Sequence, residues 1–147
     1  MRDRGAGEAT AQIVGPAGSV VGIDPAPDMI RVAQQTPASR SSPARFRLGV
    51  IECLPFDAES VDVVLASLVL HHLPPDVRRA GLHEVYRVLR PGGRLVLVDF
   101  DRRSQVSPYL NEAGFAPVAT RGRRRMLSFF VGFKPQTGSM GRGPQVS

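Results

Sequence analysis

An aspartate follows a short apolar run near the start of the chain. The run is Ser19-Val-Val-Gly-Ile-Asp24, and Asp24 ends it directly before a turn and a helix. On the second strand of a nucleotide-binding sheet, an acid at this point can accept two hydrogen bonds from vicinal ribose hydroxyls. The same position suits an aspartate that caps a helix or closes a loop, and position alone does not separate the two interpretations.

Glycines lie upstream of that aspartate. Gly5-Ala6-Gly7 precedes a short stretch with a helical pattern, Glu8 to Val14. A glycine-rich turn before a helix lets backbone N–H groups and the helix N-terminus approach an anionic group closely. A plain flexible terminus explains two glycines at least as well.

The composition fits one globular domain. The chain has 147 residues, of which 42% are hydrophobic and 22% charged, so there is room for one core. No apolar run approaches the ~20 residues that a membrane helix needs, and no apolar segment of a secretory signal follows the charged start. Cys53 is the only cysteine, which excludes an internal disulfide and a cysteine zinc cage. A reducing, cytoplasmic setting is expected.

The net charge of +6 raises the question of a nucleic-acid partner. The cations are almost all arginines spread along the chain, with Lys134 the only lysine. The one dense run is Arg121-Gly-Arg-Arg-Arg125, which we interpret as a solvated turn beside a late strand. Nucleic-acid binding rests on this run alone and is not the favoured interpretation.

Strand patterns alternate with helical ones along the chain. Apolar runs predict strands at 19–24, 61–66, 94–99 and 126–133, and weaker patterns predict strands at 44–48 and 116–120. The runs at 61–66 and 94–99 are nearly continuous, as in strands buried on both faces of a parallel sheet. Helices are predicted after Pro27, over Asp76–Leu89 before Pro91-Gly92-Gly93, and over Pro108–Ala113 before Gly114.

This alternation indicates βαβ units and a mostly parallel sheet. Ligands of such sheets bind beyond the carboxyl ends of the strands. We therefore expect sites directly after Asp24, Leu48, Ala66 and Asp99.

Several strings in the first hundred residues form an ordered series. They are Gly18-Ser-Val-Val-Gly-Ile-Asp-Pro-Ala-Pro-Asp-Met-Ile30, Glu52-Cys-Leu-Pro-Phe56 with Val61-Asp-Val-Val64, Leu70-His-His-Leu-Pro74, and Glu84-Val-Tyr-Arg-Val-Leu-Arg-Pro-Gly-Gly-Arg94. In order and spacing the series resembles the class I S-adenosylmethionine-dependent methyltransferases, in the group that includes ubiquinone/menaquinone-biosynthesis enzymes. The resemblance implies an α/β, Rossmann-like, doubly wound sheet, mostly parallel with an antiparallel last strand near Met126–Pro135. It implies a methyltransferase-like domain over residues 1–135 and a disordered tail over 136–147.

The resemblance also implies S-adenosylmethionine as cofactor and methyl transfer to a small-molecule acceptor. Asp24 would hold the ribose hydroxyls, and Pro25 to Met29 would pack around the adenosine. Val50 and Ile51 would lie along the adenine, with the Ile51 N–H facing a ring nitrogen. Relatives often carry an acid where this chain has Val50, so one hydrogen bond of ~1 kcal/mol to the adenine amino group is expected to be missing.

Four further residues complete the implied cofactor site. Gly5 and Gly7 would approach the methionine carboxylate, and Ser67 and Leu68 would border the methionine end and the acceptor pocket. Methyl transfer is an in-line displacement that relies chiefly on proximity and orientation, and many such enzymes need no general base. His71 and His72 fit the family's usual connection between a strand and a helix, so we favour a structural role. His83 falls within a helix, and we assign no catalytic residue and no metal ligand.

One part of the family pattern is missing at the start of the chain. Relatives have a buried, central first strand before the glycine loop, whereas only Met1 to Arg4 precede the glycines here, and three of these four residues are charged. The resemblance therefore predicts a sheet without its first strand, with either a gap or two strands that re-pair, and a shortened or degenerate member of the family.

Three interpretations of function follow. The leading one is a methyltransferase-fold protein that binds S-adenosylmethionine. The alternative is a non-catalytic fragment or pseudoenzyme that acts through a partner chain, or a second copy, supplying the missing strand at an exposed sheet edge. A nicotinamide-dinucleotide enzyme would share the ribose-binding acid, but Glu52–Phe56 and Leu70–Pro74 favour the methyltransferase series. The methyl acceptor and the oligomeric state stay open.

Overall fold

A computed structural model describes residues 13–35, 43–100, 106–116, 119–124 and 126–136. The chain divides into two compact units, Met1–Cys53 and Leu54–Ser147. Gly5, Gly7 and the predicted tail from 137 onwards lie outside the described residues. No helix in the described ranges is long and apolar enough to cross a membrane.

The first unit contains one parallel βαβ element. Strand β1 (Val21–Asp24) leads through helix α1 (Pro27–Gln35) to strand β2 (Arg45–Leu48). The two strands pair in parallel, with Asp24 opposite Leu48 at their carboxyl ends. Gly22 lies against the Phe46 ring, and a Cβ at Gly22 would come within 2.6 Å of that ring. The close packing of β1 on β2 therefore requires a glycine at this point.

The described residues of the second unit form four strands and three helical segments. In chain order they are β3 (Val61–Ser67), a 3₁₀ helix (Leu70–His72), α2 (Pro75–Val88), β4 (Leu89–Phe100), α3 (Val106–Ala113), β5 (Ala119–Arg124) and β6 (Leu127–Phe133). The spatial order is β3-β4-β6-β5, in which β3 and β4 are parallel and β6 is antiparallel to both of its neighbours. The predicted antiparallel last strand is confirmed.

The core of the second unit follows the two expected periodicities. Alternate residues of β4 are buried on one face, among them Leu95, Leu97 and Asp99. Helix α2 buries a single stripe that includes Leu82 and Val85. Because apolar residues fill these positions, the buried carboxylate of Asp99 stands out as a polar group that needs hydrogen-bond partners.

Two predicted boundaries are wrong. The strand expected at 94–99 begins at Leu89, so α2 ends at Val88 and the chain enters β4 without a loop. The strand expected at 116–120 is β5 at 119–124, so Arg121 to Arg124 belong to a strand and not to a turn. Among the described strands β5 stands at the end of the order with β6 as its neighbour, and edge strands tolerate charged residues well.

The described strands form a two-stranded sheet in the first unit and a four-stranded sheet in the second. The prediction that β3 is buried on both faces is wrong, since Val63 and Leu65 are 40% and 53% exposed. The physical reason is that β3 pairs only with β4 in the described part of the chain, so it is an edge strand.

A charged pair on α2 fixes the segment that precedes β3. Glu84 accepts a hydrogen bond from the Leu54 N–H at 2.8 Å, and Arg87 donates to the carbonyl oxygens of Leu54 and Phe56. Glu84 and Arg87 also pair with each other. The hydrogen bond from Arg87 is the largest of the effects that lower the pKa of Glu84 below its ordinary value of 4.5, and the Leu54 N–H adds to it.

Lys134 closes the carboxyl end of α2. Its Nζ donates to the carbonyl oxygens of Tyr86 and Leu89 at 3.1 and 2.8 Å, and its side chain is 10% exposed. The ammonium lies 4.8 Å from the centre of the Tyr86 ring. A cation at this end of a helix satisfies carbonyls that the helix leaves unpaired and favours its dipole.

We expect Lys134→Met to lower the free energy of unfolding by about 2 kcal/mol, because the buried carbonyl oxygen of Leu89 and the partly buried one of Tyr86 lose a donor. Urea denaturation of both proteins measures this difference. Arg79→Met is the control, because Arg79 pairs with Glu112 at the surface and its removal should change stability by less than about 1 kcal/mol. Equal losses in the two variants would contradict the assigned role of Lys134.

We expect the stabilising effect of Glu84 to depend on pH. Its pKa is lowered by folding, so the ionised side chain contributes stability in full above pH 4.5, and the contribution disappears as pH falls through the folded-state value. Urea denaturation should show Glu84→Gln to be less stable than the parent by ~1–2 kcal/mol near neutral pH, with the difference shrinking in acid. Glu112→Gln, in a surface ion pair, is the matched control. A difference that grows in acid would contradict this sign.

Candidate cofactor site

Asp24 closes a tight turn at the carboxyl end of β1. Its Oδ1 accepts a hydrogen bond from the Ala26 N–H at 2.8 Å, two residues along the chain. This aspartate turn positions Pro27 to begin α1. Oδ2 has no hydrogen-bond partner within the described ranges. One carboxylate oxygen thus holds the loop, as in the loop-closing interpretation of Asp24, and the other is available to a ligand.

The neighbouring strand brings a second loop to the same edge. The Gly49 N–H donates to the Asp24 carbonyl oxygen at 3.2 Å, which continues the parallel pairing one residue past β2. Val50 and Ile51 follow in a turn closed by the Cys53 N–H on the Val50 carbonyl oxygen. Parallel strands end at one edge of their sheet, so Asp24 and this turn lie on the same edge.

The residues expected around adenosine are accessible at this edge. Pro25, Met29 and Val50 are exposed, and the Ile51 N–H meets no acceptor in the described part of the chain. An exposed thioether and an isopropyl group suit contact with a flat purine ring. The free carboxylate oxygen and the free backbone N–H have the donor and acceptor types that ribose and a ring nitrogen require. These residues therefore fit the adenosine part of S-adenosylmethionine.

In the second unit, Ser67 and Leu68 lie at the carboxyl end of β3. Leu68 has a positive φ of 55°, which bulky residues rarely adopt. Its N–H donates to the Val98 carbonyl oxygen at 2.8 Å, and this hydrogen bond ties the unusual conformation to β4. Strained backbone of this kind is concentrated at functional sites, where the surrounding structure holds it in place.

Asp99 organises the same end of the sheet. Its Oδ2 accepts from the Leu70 and His71 N–H groups at 2.8 and 3.3 Å, and its Oδ1 accepts from the Phe100 N–H at 2.7 Å. The fourth partner is the His71 imidazole, whose Nδ1 lies 2.7 Å from Oδ1. The side chains of His71 and Asp99 are 7% and 0% exposed. A buried carboxylate with four donors is a fully satisfied polar centre.

No local pattern in the sequence predicts this pair. Asp99 is predicted to end a strand, with a site directly after it, and a structural role is favoured for His71. The two residues are 28 positions apart, so no local pattern connects them. The sequence pattern that could have indicated the pair is an acid, Asp99, near the end of one apolar strand and a histidine, His71, shortly after another. If the two strands are parallel neighbours, these residues lie at the same edge of the sheet.

The predicted site residues thus fall into separate groups. Asp24, Pro25, Met29, Val50 and Ile51 share one edge of the first unit, and Ser67 and Leu68 lie at the carboxyl end of β3 in the second. A shallow depression lined by Asp62, Arg90 and Gly92 lies at the opposite, amino end of β3 and β4. It contains none of the predicted residues.

Comparisons with known proteins identify the family. Residues 4–97 match the methyltransferase domain family. An arsenite methyltransferase of Halobacterium salinarum is 39% identical over 113 residues, 76% of this chain and 28% of that protein. A ubiquinone/menaquinone biosynthesis C-methyltransferase of Geotalea daltonii is 34% identical over 84 residues, 56% of this chain and 35% of that protein.

A solved structure agrees in fold. A SAM-dependent methyltransferase from Methanosarcina mazei superimposes with a TM-score of 0.68 over 90% of each chain, at 20% sequence identity. The matched region spans about a third of the two curated relatives, 28% and 35% of their lengths. The fold is therefore Rossmann-like α/β, as predicted, and the chain belongs to the class I methyltransferase family, whose cofactor is S-adenosylmethionine.

Proposed function

We propose that this protein binds S-adenosylmethionine and transfers its methyl group to a small-molecule acceptor in the cytoplasm. The observation that carries the proposal is the edge formed by Asp24 and the turn at Val50–Cys53. There a carboxylate oxygen and a backbone N–H stand free at the carboxyl ends of two parallel strands. This is where open α/β sheets bind nucleotides.

The chain's own residues supply binding and orientation. Oδ2 of Asp24 accepts from the ribose hydroxyls while Oδ1 stays bound to the Ala26 N–H, so ligand binding does not disturb the turn. The Ile51 N–H donates to the adenine ring, and Met29 covers one face of it. S-adenosylmethionine supplies a methyl group on a positively charged sulfur, which reacts with a nucleophile held in line.

The class of acceptor is supported by the relatives. The two curated relatives are named for arsenite and for ubiquinone/menaquinone biosynthesis, both of which concern small molecules. The arginine-rich β5 is an edge strand and gives no separate argument for nucleic acid. A small organic or inorganic nucleophile is therefore the proposed acceptor.

One observation favours a second function. β3 has a free edge among the described strands, and its Val63 and Leu65 are exposed. A strand from a partner chain would pair with such an edge. A non-catalytic protein that acts through this partner would not need to bind S-adenosylmethionine.

Titration calorimetry with S-adenosylhomocysteine, the demethylated product, tests the proposal. We expect binding by the parent chain, and an affinity roughly 10- to 100-fold lower for Asp24→Asn, which loses a charged acceptor. The asparagine retains an oxygen for the Ala26 N–H, so the turn is preserved. Asp28→Asn is the control, because Asp28 is exposed and forms a surface ion pair with Arg31. We expect its affinity to stay within twofold of the parent.

The outcomes of the titration separate the two functions. Equal affinities of Asp24→Asn and Asp28→Asn would show that Asp24 does not hold the ribose. A folded parent chain without affinity for S-adenosylhomocysteine would contradict methyl transfer and favour the partner-dependent function.

A further inference from the structure

The His71 ring is held in one orientation by three neighbours. Nδ1 contacts Asp99, the Phe100 ring meets the imidazole edge-on at 4.8 Å, and the His72 ring lies 3.8 Å away at a tilt. Asp99 itself is fixed by three backbone N–H groups. These three hydrogen bonds hold the 3₁₀ helix on Asp99 without any contribution from the ring. The additional hydrogen bond to Nδ1 fixes the orientation of the imidazole.

The pairing determines which nitrogen of His71 is free. An ionised carboxylate only accepts hydrogen bonds, so Nδ1 carries a hydrogen, and in the neutral imidazole the lone pair is then on Nε2. Nε2 has no partner among the described residues, and Ser128 Oγ is the only buried side-chain nitrogen or oxygen there without one. Nε2 therefore retains some accessible surface, although the side chain as a whole is only 7% exposed.

His71 lies at the end of the sheet where ligands of parallel sheets bind. His71 follows β3 by four residues, and Asp99 lies near the end of β4, which places both at the carboxyl ends of parallel strands. Leu68 is bound to Val98, the residue before Asp99. Ser67 and Leu68 are the residues expected beside the acceptor pocket. A ligand at this end of the sheet would meet the imidazole.

Ser128 adds unused hydrogen-bonding capacity on the same face. It is the cross-strand neighbour of Asp99 on β6, and directly opposite residues in an antiparallel pair project to the same side. Its hydroxyl is buried and unpaired, which is an unfavourable state unless water or a ligand supplies a partner.

We propose that His71 is the proton acceptor of the methyl-transfer reaction and that Asp99 is its positioning residue. This inference rests on the proposed function and specifies its substrate class. The acceptor carries a proton on its nucleophilic atom, as a hydroxyl, a phenol or a protonated amine does. An acceptor whose nucleophilic atom carries no proton would gain nothing from a base.

In this step the acceptor loses a proton and gains a methyl group. Its O–H or N–H bond breaks and the proton passes to Nε2 of His71. The lone pair on oxygen or nitrogen forms a bond to the methyl carbon, while the bond from that carbon to sulfur breaks and leaves its electron pair on sulfur. The imidazolium then returns its proton to water. A positioned base of this kind contributes roughly 10²- to 10⁴-fold to rate.

Diethyl pyrocarbonate tests the state of His71 without a known acceptor, because it acylates unprotonated imidazole nitrogens. Mass spectrometry of the digested protein gives a rate for each histidine. We expect His71 to react at least as fast as His83, which is exposed on α2, although the His71 ring is 7% exposed. We expect Asp99→Asn to slow His71 several-fold and to leave His83 unchanged. A structural His71 would be protected in both proteins.

The reactivity of His83 and the binding of S-adenosylhomocysteine provide the controls. The comparison of His71 with His83 within the unmodified chain needs no variant, so it holds even if Asp99→Asn fails to fold. His71→Asn removes the assigned signal and so confirms which modified peptide carries His71. If S-adenosylhomocysteine does not bind the parent, the proposed function fails and this role of His71 fails with it. If S-adenosylhomocysteine binds and His71 is unreactive, only the present inference is overturned.

Discussion

The buried carboxylate of Asp99 is the interaction on which the second unit depends. A charge with no exposed surface is tolerated only when its hydrogen bonds replace those of water, and Asp99 has four donors. Two of them are N–H groups of the 3₁₀ helix, so the crossover from β3 to α2 is fixed to β4. Arg78 completes this arrangement by donating to the carbonyl oxygens of Leu70 and Leu73. The Asp99 carboxylate thus accepts from the N–H groups of this turn, and the Arg78 guanidinium donates to its carbonyl oxygens.

Asp24 uses the same principle at the end of β1. Here the carboxylate is only partly buried, and one oxygen is sufficient to hold the Ala26 N–H and start α1. The different burial of the two acids gives them different uses. Asp99 is fully occupied and acts through His71, whereas Asp24 retains an oxygen for a ligand. In both cases an acid at the carboxyl end of a parallel strand fixes a loop and creates a polar position beside it.

Local patterns predicted the elements that local interactions determine. Pro27 and Asp28 indicated the start of α1, the stripe along α2 predicted its burial, and the apolar run of β6 predicted its strand. The missed features depend on partners far away in sequence. Lys134 binds carbonyls 48 and 45 residues before it. β5 is a strand despite its arginines because it pairs with β6 at an edge, and β3 is exposed because no described strand lies beyond it.

We propose that the adenosine of the methyl donor binds at the carboxyl ends of β1 and β2. Amide chemical shifts of the ¹⁵N-labelled chain, recorded during titration with S-adenosylhomocysteine, test its position directly. We expect the largest chemical-shift changes at the Ile51 and Ala26 amides, together with the neighbouring amides of α1. Changes confined to Asp62, Arg90 and Gly92, at the amino ends of β3 and β4, would contradict it.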